Sequence, residues 1–352
     1  MINIARPVSQ LQEEIQQQPE VLKRLLESRR LAVEQVADAI RKHPPDFVLF
    51  AARGSSDNAA RYGQYLLGAA NQLPVALATP SLFTLYGQPP RLDRSLVVGI
   101  SQSGQSPDIV AVLKEARLQG AQTVAITNDS ESSLAEVAEH IIDLAAGAER
   151  SIAATKTYTA SLFALAMLSA AIARDSRRFQ MLQTVPALVA DVLALAPETI
   201  RAAEQYRHME ACVVVSRGYN YGTAFEIALK IKELTYALAE PYSCADFEHG
   251  PLAMVEGGFT VIAIVPEGAV APELVTLLRR LRERGAELLV ISAHESALAI
   301  AQTALLVPSG MPEWLSPMVT VVQGQVFALG LTLAKGYEPD SPRSLRKVTR
   351  TW

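Results

Sequence analysis

The chain has 352 residues, more than a single hydrophobic core usually spans, so two domains of ordinary size are expected. Hydrophobic residues make up 49% of it, charged residues 19% and aromatics 6%, the profile of an α/β protein with a large core. A formal net charge of −4 leaves no global basic footprint and argues against nucleic acid as a partner.

The opening "MINIARPVSQLQEEIQQQPEVLKRLL" is amphipathic and charged, with no apolar core ahead of a small-residue cleavage site. It is not read as a signal peptide, and residues 1–40 are expected to form helices outside the first sheet. Six aliphatic runs then follow at intervals: "FVLFA" (47–51), "LVVGI" (96–100), "TVAIT" (123–127), "CVVVS" (212–216), "TVIAIV" (260–265) and "ELLVIS" (287–292). None alternates polar with apolar, so each is expected to be a strand covered on both faces, as in parallel sheets flanked by helices. The expected fold class is α/β, with two tandem doubly wound parallel-sheet domains.

The loop after the first run, "ARGSSDNAARYG", offers Gly54 for close backbone approach and the hydroxyls of Ser55 and Ser56. The loop after the second, "SQSGQSPD", carries Ser101, Gln102, Ser103 and Ser106 ahead of Pro107-Asp108 and a helical pattern. A helix start presents unpaired N–H groups and the positive end of its dipole, and open α/β sheets bind ligands at the carboxyl ends of strands. The loop is neither a Walker loop nor GxGxxG, so nucleotides are not favoured. Serine and aspartate also cap helices, and the pattern by itself leaves an anion cradle and a capped turn both open. A strand-like "HIIDL" leads to "ERSIAATKTYTA" (149–160), a third polar entry to a helix. The uncharged run starting at Thr157 contains Thr, Ser and Tyr and is read as a buried helix, with no membrane partner.

A domain boundary is expected near 185–200, where two prolines punctuate a linking helix between a first domain (41–185) and a second (186–335). Cys212 and Cys244 form no CxxC pair, which indicates neither a disulfide framework nor a zinc site and fits a soluble protein of the reducing cytoplasm. In "FEIALKIKELTYALAE", Glu226, Lys230 and Glu233 fall at spacings of four and three, on one helical face. Such a trio is often a solvated salt-bridge face, but the apolar residues around it leave little solvent side, and a carboxylate beside a buried lysine can shuttle protons. His249, in "SCADFEHGPLAMV", precedes Gly-Pro in a loop and is an acid–base candidate, although a single histidine is more often structural. No HExxH, His/Cys cluster or GxSxG elbow appears, so neither a metal, an organic cofactor nor a serine nucleophile is expected. The polar, Pro-interrupted stretch 336–352 reads as an extended tail.

Sliding the chain by 164 residues places Arg53-Gly54 on Arg217-Gly218 and "VVGISQSGQSPDIVAVL" on "VIAIVPEGAVAPELVTL". A whole domain is duplicated. The hydroxyls are not: Ser101, Gln102, Ser103 and Ser106 meet Val265, Pro266, Glu267 and Val270.

Taken in order, "RGSSDNA", "SQSGQSPD", "ERSIAATKTYT", "EIALKIKEL", "FEHGPLAM" and "DSPRSLRKVT" resemble the double sugar isomerase (SIS) domain family over about residues 40–352, most closely its glutamine:fructose-6-phosphate amidotransferase branch. The resemblance implies flavodoxin-like domains and a hexose or hexosamine 6-phosphate as substrate. It implies phosphate binding by Ser101, Gln102, Ser103 and Ser106, the last standing where threonine is common. Sugar contacts fall to Gly54, Ser55, Ser56, Ile152 and Ala154; at Ala154 the family usually has serine. Glu233 becomes the base moving a proton between C1 and C2, with Glu226 and Lys230 supporting it. His249 is linked to ring opening in the neighbouring subunit's site, which implies a homodimer. Lys347, in the tail that closes the site, forms an imine with the open-chain ketose.

That branch carries a glutaminase half with a catalytic first cysteine, whereas the first cysteine here is Cys212. The expected activity is therefore hydrolytic, as in SIS-type glucosamine-6-phosphate deaminases: glucosamine 6-phosphate and water to fructose 6-phosphate and ammonia. A fructosamine-phosphate deglycase, a plain aldose–ketose isomerase and a non-catalytic phosphosugar sensor are the alternatives. The sensor lacks a basic DNA-binding segment in its first forty residues.

Overall fold

The computed structural model describes residues 8–347. Two five-stranded parallel sheets carry the fold. The first contains β1 (Phe47–Ala51), β2 (Val75–Leu77), β3 (Ser95–Ser101), β4 (Gln122–Thr127) and β5 (His140–Asp143). The second contains β6 (Ala211–Ser216), β7 (Leu238–Ser243), β8 (Thr260–Val265), β9 (Glu287–Ser292) and β10 (Thr303–Leu306). The spatial order is β2-β1-β3-β4-β5 in one and β7-β6-β8-β9-β10 in the other, so the duplication seen in the sequence is a duplication of topology. In this flavodoxin-like order the chain reverses direction of winding between β1 and β3, and the crevice at their carboxyl ends is where such sheets take ligands.

All six expected strands form. Of the four edge strands, β5 falls on the strand-like "HIIDL", and the other three carry weak sequence signals. β2 is three residues long, β7 contains Glu240 and Pro241, and β10 alternates buried with exposed positions. Such features belong to strands paired on one side.

Alternate residues along each strand enter different cores. Val48, Phe50, Leu96 and Val98 of the first sheet, with Val214, Ile262 and Ile264 of the second, share one core with the helices between the sheets. Leu49, Ala51 and Val97 face an outer core of the first sheet, and Val213, Val215 and Val261 face a second outer core on the other sheet. Helix Lys156–Ile172 lies in the shared layer and is buried over nearly its whole length, as its uncharged run suggested. The segment Glu313–Ala334 is long and apolar enough to cross a membrane, but 89% of its apolar window is buried inside the protein against helices Tyr221–Thr235 and Ala196–Ala203. The stretch between the repeats is two helices, Val185–Ala194 and Ala196–Ala203, each opened by a proline in its first turn and meeting at Leu195. A proline cannot donate to the preceding turn, which accounts for the break.

Candidate functional site

The site lies at the β1/β3 crevice of the first sheet. Helix Gly54–Asn71 starts directly after β1 and helix Pro107–Leu118 after β3, so both present their amino ends to one space. Arg53 and Ser106 hold the N-cap positions, and neither side chain caps its helix. The polar turn is therefore not explained by Ser106 capping, and its hydroxyl borders the cleft. Ser101 Oγ accepts from Gly104 N at 3.1 Å and Ser103 Oγ from Gln105 N at 3.3 Å, which shapes the loop while leaving the hydroxyl protons free to donate. Gly104 has φ +61, and a Cβ there would meet Ser132 Oγ at 2.0 Å, so the loop closes only over glycine.

The cleft encloses about 340 Å³, within the range of small-molecule sites. Its walls bring together Gly54, Ser55, Ser56, Ser101, Gln102, Ser103 and Ser106, joined by Ile152 and Ala154 from the third loop. Glu233 of the second repeat and Lys347 of the tail complete it. Three residues without an expected role also line it: Arg53, Leu345 and Arg346. Arg53 Nε donates to the fully buried Asp108 at 2.8 Å, so its charge is partly answered at the loop's own base. A larger open groove, about 720 Å³ between helices Pro107–Leu118 and Ser133–Val137, gathers no comparable set of loops.

Behind the cleft, helix Tyr221–Thr235 packs on helix Gly54–Asn71; a Cβ at Gly222 would strike Asn58 O at 2.6 Å, so glycine permits the approach. The contact joins the repeats through buried polar groups. Glu226, with a fully buried side chain, accepts from Ser55 Oγ at 2.9 Å and Asn58 Nδ2 at 2.8 Å, and lies 3.4 Å from Lys230 Nζ. Lys230, also buried, forms an ion pair with Glu233 Oε2 at 2.6 Å. The Glu233 side chain keeps 23% of its surface, the only one of the trio open to the cleft. Burial raises the Glu226 carboxyl above its ordinary range, against the pull of Lys230 and Asn58. Burial would strip the proton from Lys230, but Glu226 and Glu233 together reverse that and hold the ammonium more firmly than in water. The trio is thus a fixed cation between two carboxylates, one sealed and one facing the cleft. A carboxylate so placed can take and return a proton without a mobile counter-ion.

Ser55, expected at the sugar, lines the cleft, and its hydroxyl also donates to Glu226 and lies 3.3 Å from Lys230 Nζ. Asn58, like Glu149, sat inside a quoted motif without a role, one turn into helix Gly54–Asn71. Glu149 holds Lys347 Nζ at 2.7 Å. His249 ends helix Cys244–Glu248, is exposed, and does not line the cleft of its own chain. Cys212 and Cys244 are free thiols, and burial pushes Cys212 up to about 12, which leaves it inert. Among the described residues no group of three or more His, Cys, Asp or Glu gathers as a metal site would.

The SIS domain model matches residues 45–171 and 206–335, one match per sheet. The isomerizing glutamine–fructose-6-phosphate aminotransferase of Thermococcus kodakarensis is 33% identical over 344 residues, covering 95% of this chain and 56% of the relative. The chain thus spans about half the length of the curated relatives it matches. A solved chain from Silicibacter pomeroyi, described as a candidate phosphosugar isomerase, superposes with a TM-score of 0.86 at 34% identity, covering 95% of this chain and 100% of that one. The C-terminal domain of glucosamine-fructose-6-phosphate aminotransferase from Francisella tularensis gives 0.87 at 26% identity, covering 97% and 100%. With both sheets matched in order and the crevice between β1 and β3 lined by hydroxyls, the chain belongs to the SIS domain family, of which it carries two copies.

Proposed function

We propose that the cleft binds a hexosamine 6-phosphate and catalyses deamination coupled to isomerisation, glucosamine 6-phosphate and water giving fructose 6-phosphate and ammonia. The observation that carries this reading is the convergence of two hydroxyl-bearing loops and a third, apolar-lined one on a carboxylate, Glu233, backed by a buried ammonium. Ser101, Gln102, Ser103 and Ser106, with the amino end of helix Pro107–Leu118, take the phosphate; Ser56, Ile152 and Ala154 border the sugar. Gly54 lets the backbone approach it closely, at φ +54 with open space where a Cβ would lie.

In the proposed sequence the ring opens to the aldehyde, a step given to His249 from a second copy of the chain, so that a homodimer is the active unit. Glu233 takes the proton from C2, where it can exchange with solvent, and delivers a proton to C1 while one amine proton passes to O1, so that the C1 aldehyde becomes an alcohol and the C2 amine a C2 imine. Water adds to C2, ammonia leaves, and C2 becomes the ketose carbonyl. Lys347 captures that carbonyl reversibly as an imine, releasing one water as it forms. Lys230 and Glu226 hold Glu233 in place and are not consumed. Free thiols and a phosphosugar substrate suit a cytoplasmic setting.

The test is ammonia release from a panel of hexosamine 6-phosphates by the wild type and by Glu233→Gln. Release by the wild type that collapses in the variant is expected. Release of a larger amine from a glycated substrate would move the reading to a deglycase. Ketose without ammonia would make it a plain isomerase, and binding without conversion a sensor.

A further inference from the structure

The third loop contains a carboxylate that the proposed reaction does not use. Glu149 has a side chain with no exposed surface, yet it is placed directly behind the cleft wall. Its Oε1 accepts from Thr155 N at 3.0 Å and Thr157 N at 3.1 Å, at the start of helix Lys156–Ile172. One oxygen would suffice to satisfy that helix start. The other, Oε2, accepts from Thr157 Oγ1 at 2.7 Å and from Lys347 Nζ at 2.7 Å. Burial opposes ionisation of Glu149, but Lys347, the Thr155 amide and the Thr157 hydroxyl overcome it and hold the carboxyl below its ordinary range.

The loop is itself held from behind. Helix Gln10–Gln16, outside the region matched by the SIS domain, sends Glu14 to accept from the amides of Arg150 and Ser151, the residues following Glu149. Lys156 Nζ donates to Gln17 Oε1 at 2.8 Å and to Ala148 O at 2.6 Å. Glu149 is therefore a fixed anion in a rigid turn, whereas Lys347 is a long side chain on a segment with few backbone bonds of its own. Holding such a side chain in one rotamer costs entropy that only a well-placed partner offsets.

We propose that Glu149 is a positioning residue that docks the C-terminal segment by its lysine and so sets where Lys347 stands against the sugar. This rests on the reading of the cleft as a phosphosugar site, and it adds that the N-terminal helices serve the reaction by fixing Glu149. A helix cap alone would have no reason to involve the tail.

The experiment compares wild type, Glu149→Gln, Glu149→Asp, Lys347→Met and the double variant Glu149→Gln/Lys347→Met. One readout is hexosamine 6-phosphate turnover, and the other is the rate of tryptic cleavage at Arg343 and Arg346 in the folded protein. Glu149→Gln is expected to lower kcat/KM about tenfold to a hundredfold, the loss of one hydrogen bond to a charged partner. Its tail should be cleaved faster, as should that of Lys347→Met. In the Lys347→Met background Glu149→Gln should cost nothing further, because both changes break the same link. Glu149→Asp keeps the charge but retracts it by one methylene and should fall between wild type and Glu149→Gln in both assays, which preserves the test should the glutamine variant not fold. Multiplying losses in the double variant, or wild-type cleavage in folded Glu149→Gln, would overturn the inference. If no hexosamine phosphate is turned over by the wild type, the proposed function has failed, and the cleavage rates still decide the role of Glu149.

Discussion

The two copies of the domain differ most where they are most alike in backbone. After β3, Gly104 turns the chain beneath a set of hydroxyls that border an open cleft. After β8, Gly268 makes the equivalent turn, and the space is occupied by the chain's own Glu313. Its Oε2 accepts from Ala269 N at 2.9 Å and would lie 2.3 Å from a Cβ at Gly268; its Oε1 would lie 3.3 Å from one at Gly218, the counterpart of Gly54. An arginine–acid pair supports the turn in both copies, Arg53 with Asp108 and Arg217 with Glu273. That pair is a property of the scaffold, whereas the hydroxyls belong to one copy. The helices after β1 and β6 show the reverse asymmetry. Glu226, Lys230 and Glu233 stand where the first copy has Tyr62, Leu66 and Ala69, and of the three Glu233 reaches the first copy's cleft. Duplication supplied two frames, and both line one cleft: the hydroxyls come from the first and the Glu233 carboxylate from the second.

The largest effect expected from breaking this division is in Glu233→Gln. A general base lost from a proton transfer costs about two to four orders of magnitude in kcat, while phosphosugar binding by the first copy should persist. Steady-state kinetics with a separate binding titration will show whether the two halves part in this way.

Lys230→Met comes next and is read as stability. It leaves two carboxylates facing each other with the sealed one unpaired, a loss of about 3–5 kcal/mol. The sign with pH follows from the raised Lys230: its contribution is complete below 10.5, the value in the unfolded chain, and is lost as pH rises through the higher folded value. Urea denaturation should therefore show the difference between wild type and variant constant near neutrality and shrinking above pH 10.5. Glu149 has the opposite sign. Its lowered carboxyl contributes stability present above about 4.5 and lost as pH falls through the folded value, so the acid limb of the curve should flatten in Glu149→Gln.

The Ser103→Ala/Ser106→Ala pair should raise KM for the 6-phosphate by about tenfold to a hundredfold with a smaller change in kcat, since hydrogen bonds to a charged group act in both ground and transition states. The smallest effect belongs to Glu313→Gln. Turnover should stay within about twofold of wild type, with a stability loss of about 1 kcal/mol for the weakened bond to Ala269. A large loss of turnover there would mean that the second copy's crevice is not idle.

Much of this was legible in the chain because it is local. Unbroken aliphatic runs mark the covered strands, and the offset of 164 residues marks the duplication. Glu226, Lys230 and Glu233 were placed on one face by helical spacing. The edge strands were less legible, since a strand paired on one side tolerates Pro241 or an alternating pattern. What spacing could not show is contact across the chain. Asn58 meets Glu226 across 168 residues and Lys347 meets Glu149 across 198, and although each lies in a recognisable motif, no motif names its partner. Ser55 shows the same limit: its motif marked the cleft it lines, but not the buried carboxylate to which its hydroxyl donates. Glu313 belonged to no motif at all, although the missing hydroxyls of the second copy were visible.

The central claim, that the second copy's Glu233 moves a proton on a sugar held by the first, is tested most directly by turning over glucosamine 6-phosphate in D2O and reading deuterium at C1 of the fructose 6-phosphate by NMR. Wild type should yield product carrying solvent deuterium at C1, and Glu233→Gln should bind the substrate and incorporate none. Incorporation by Glu233→Gln at the wild-type rate would contradict the account.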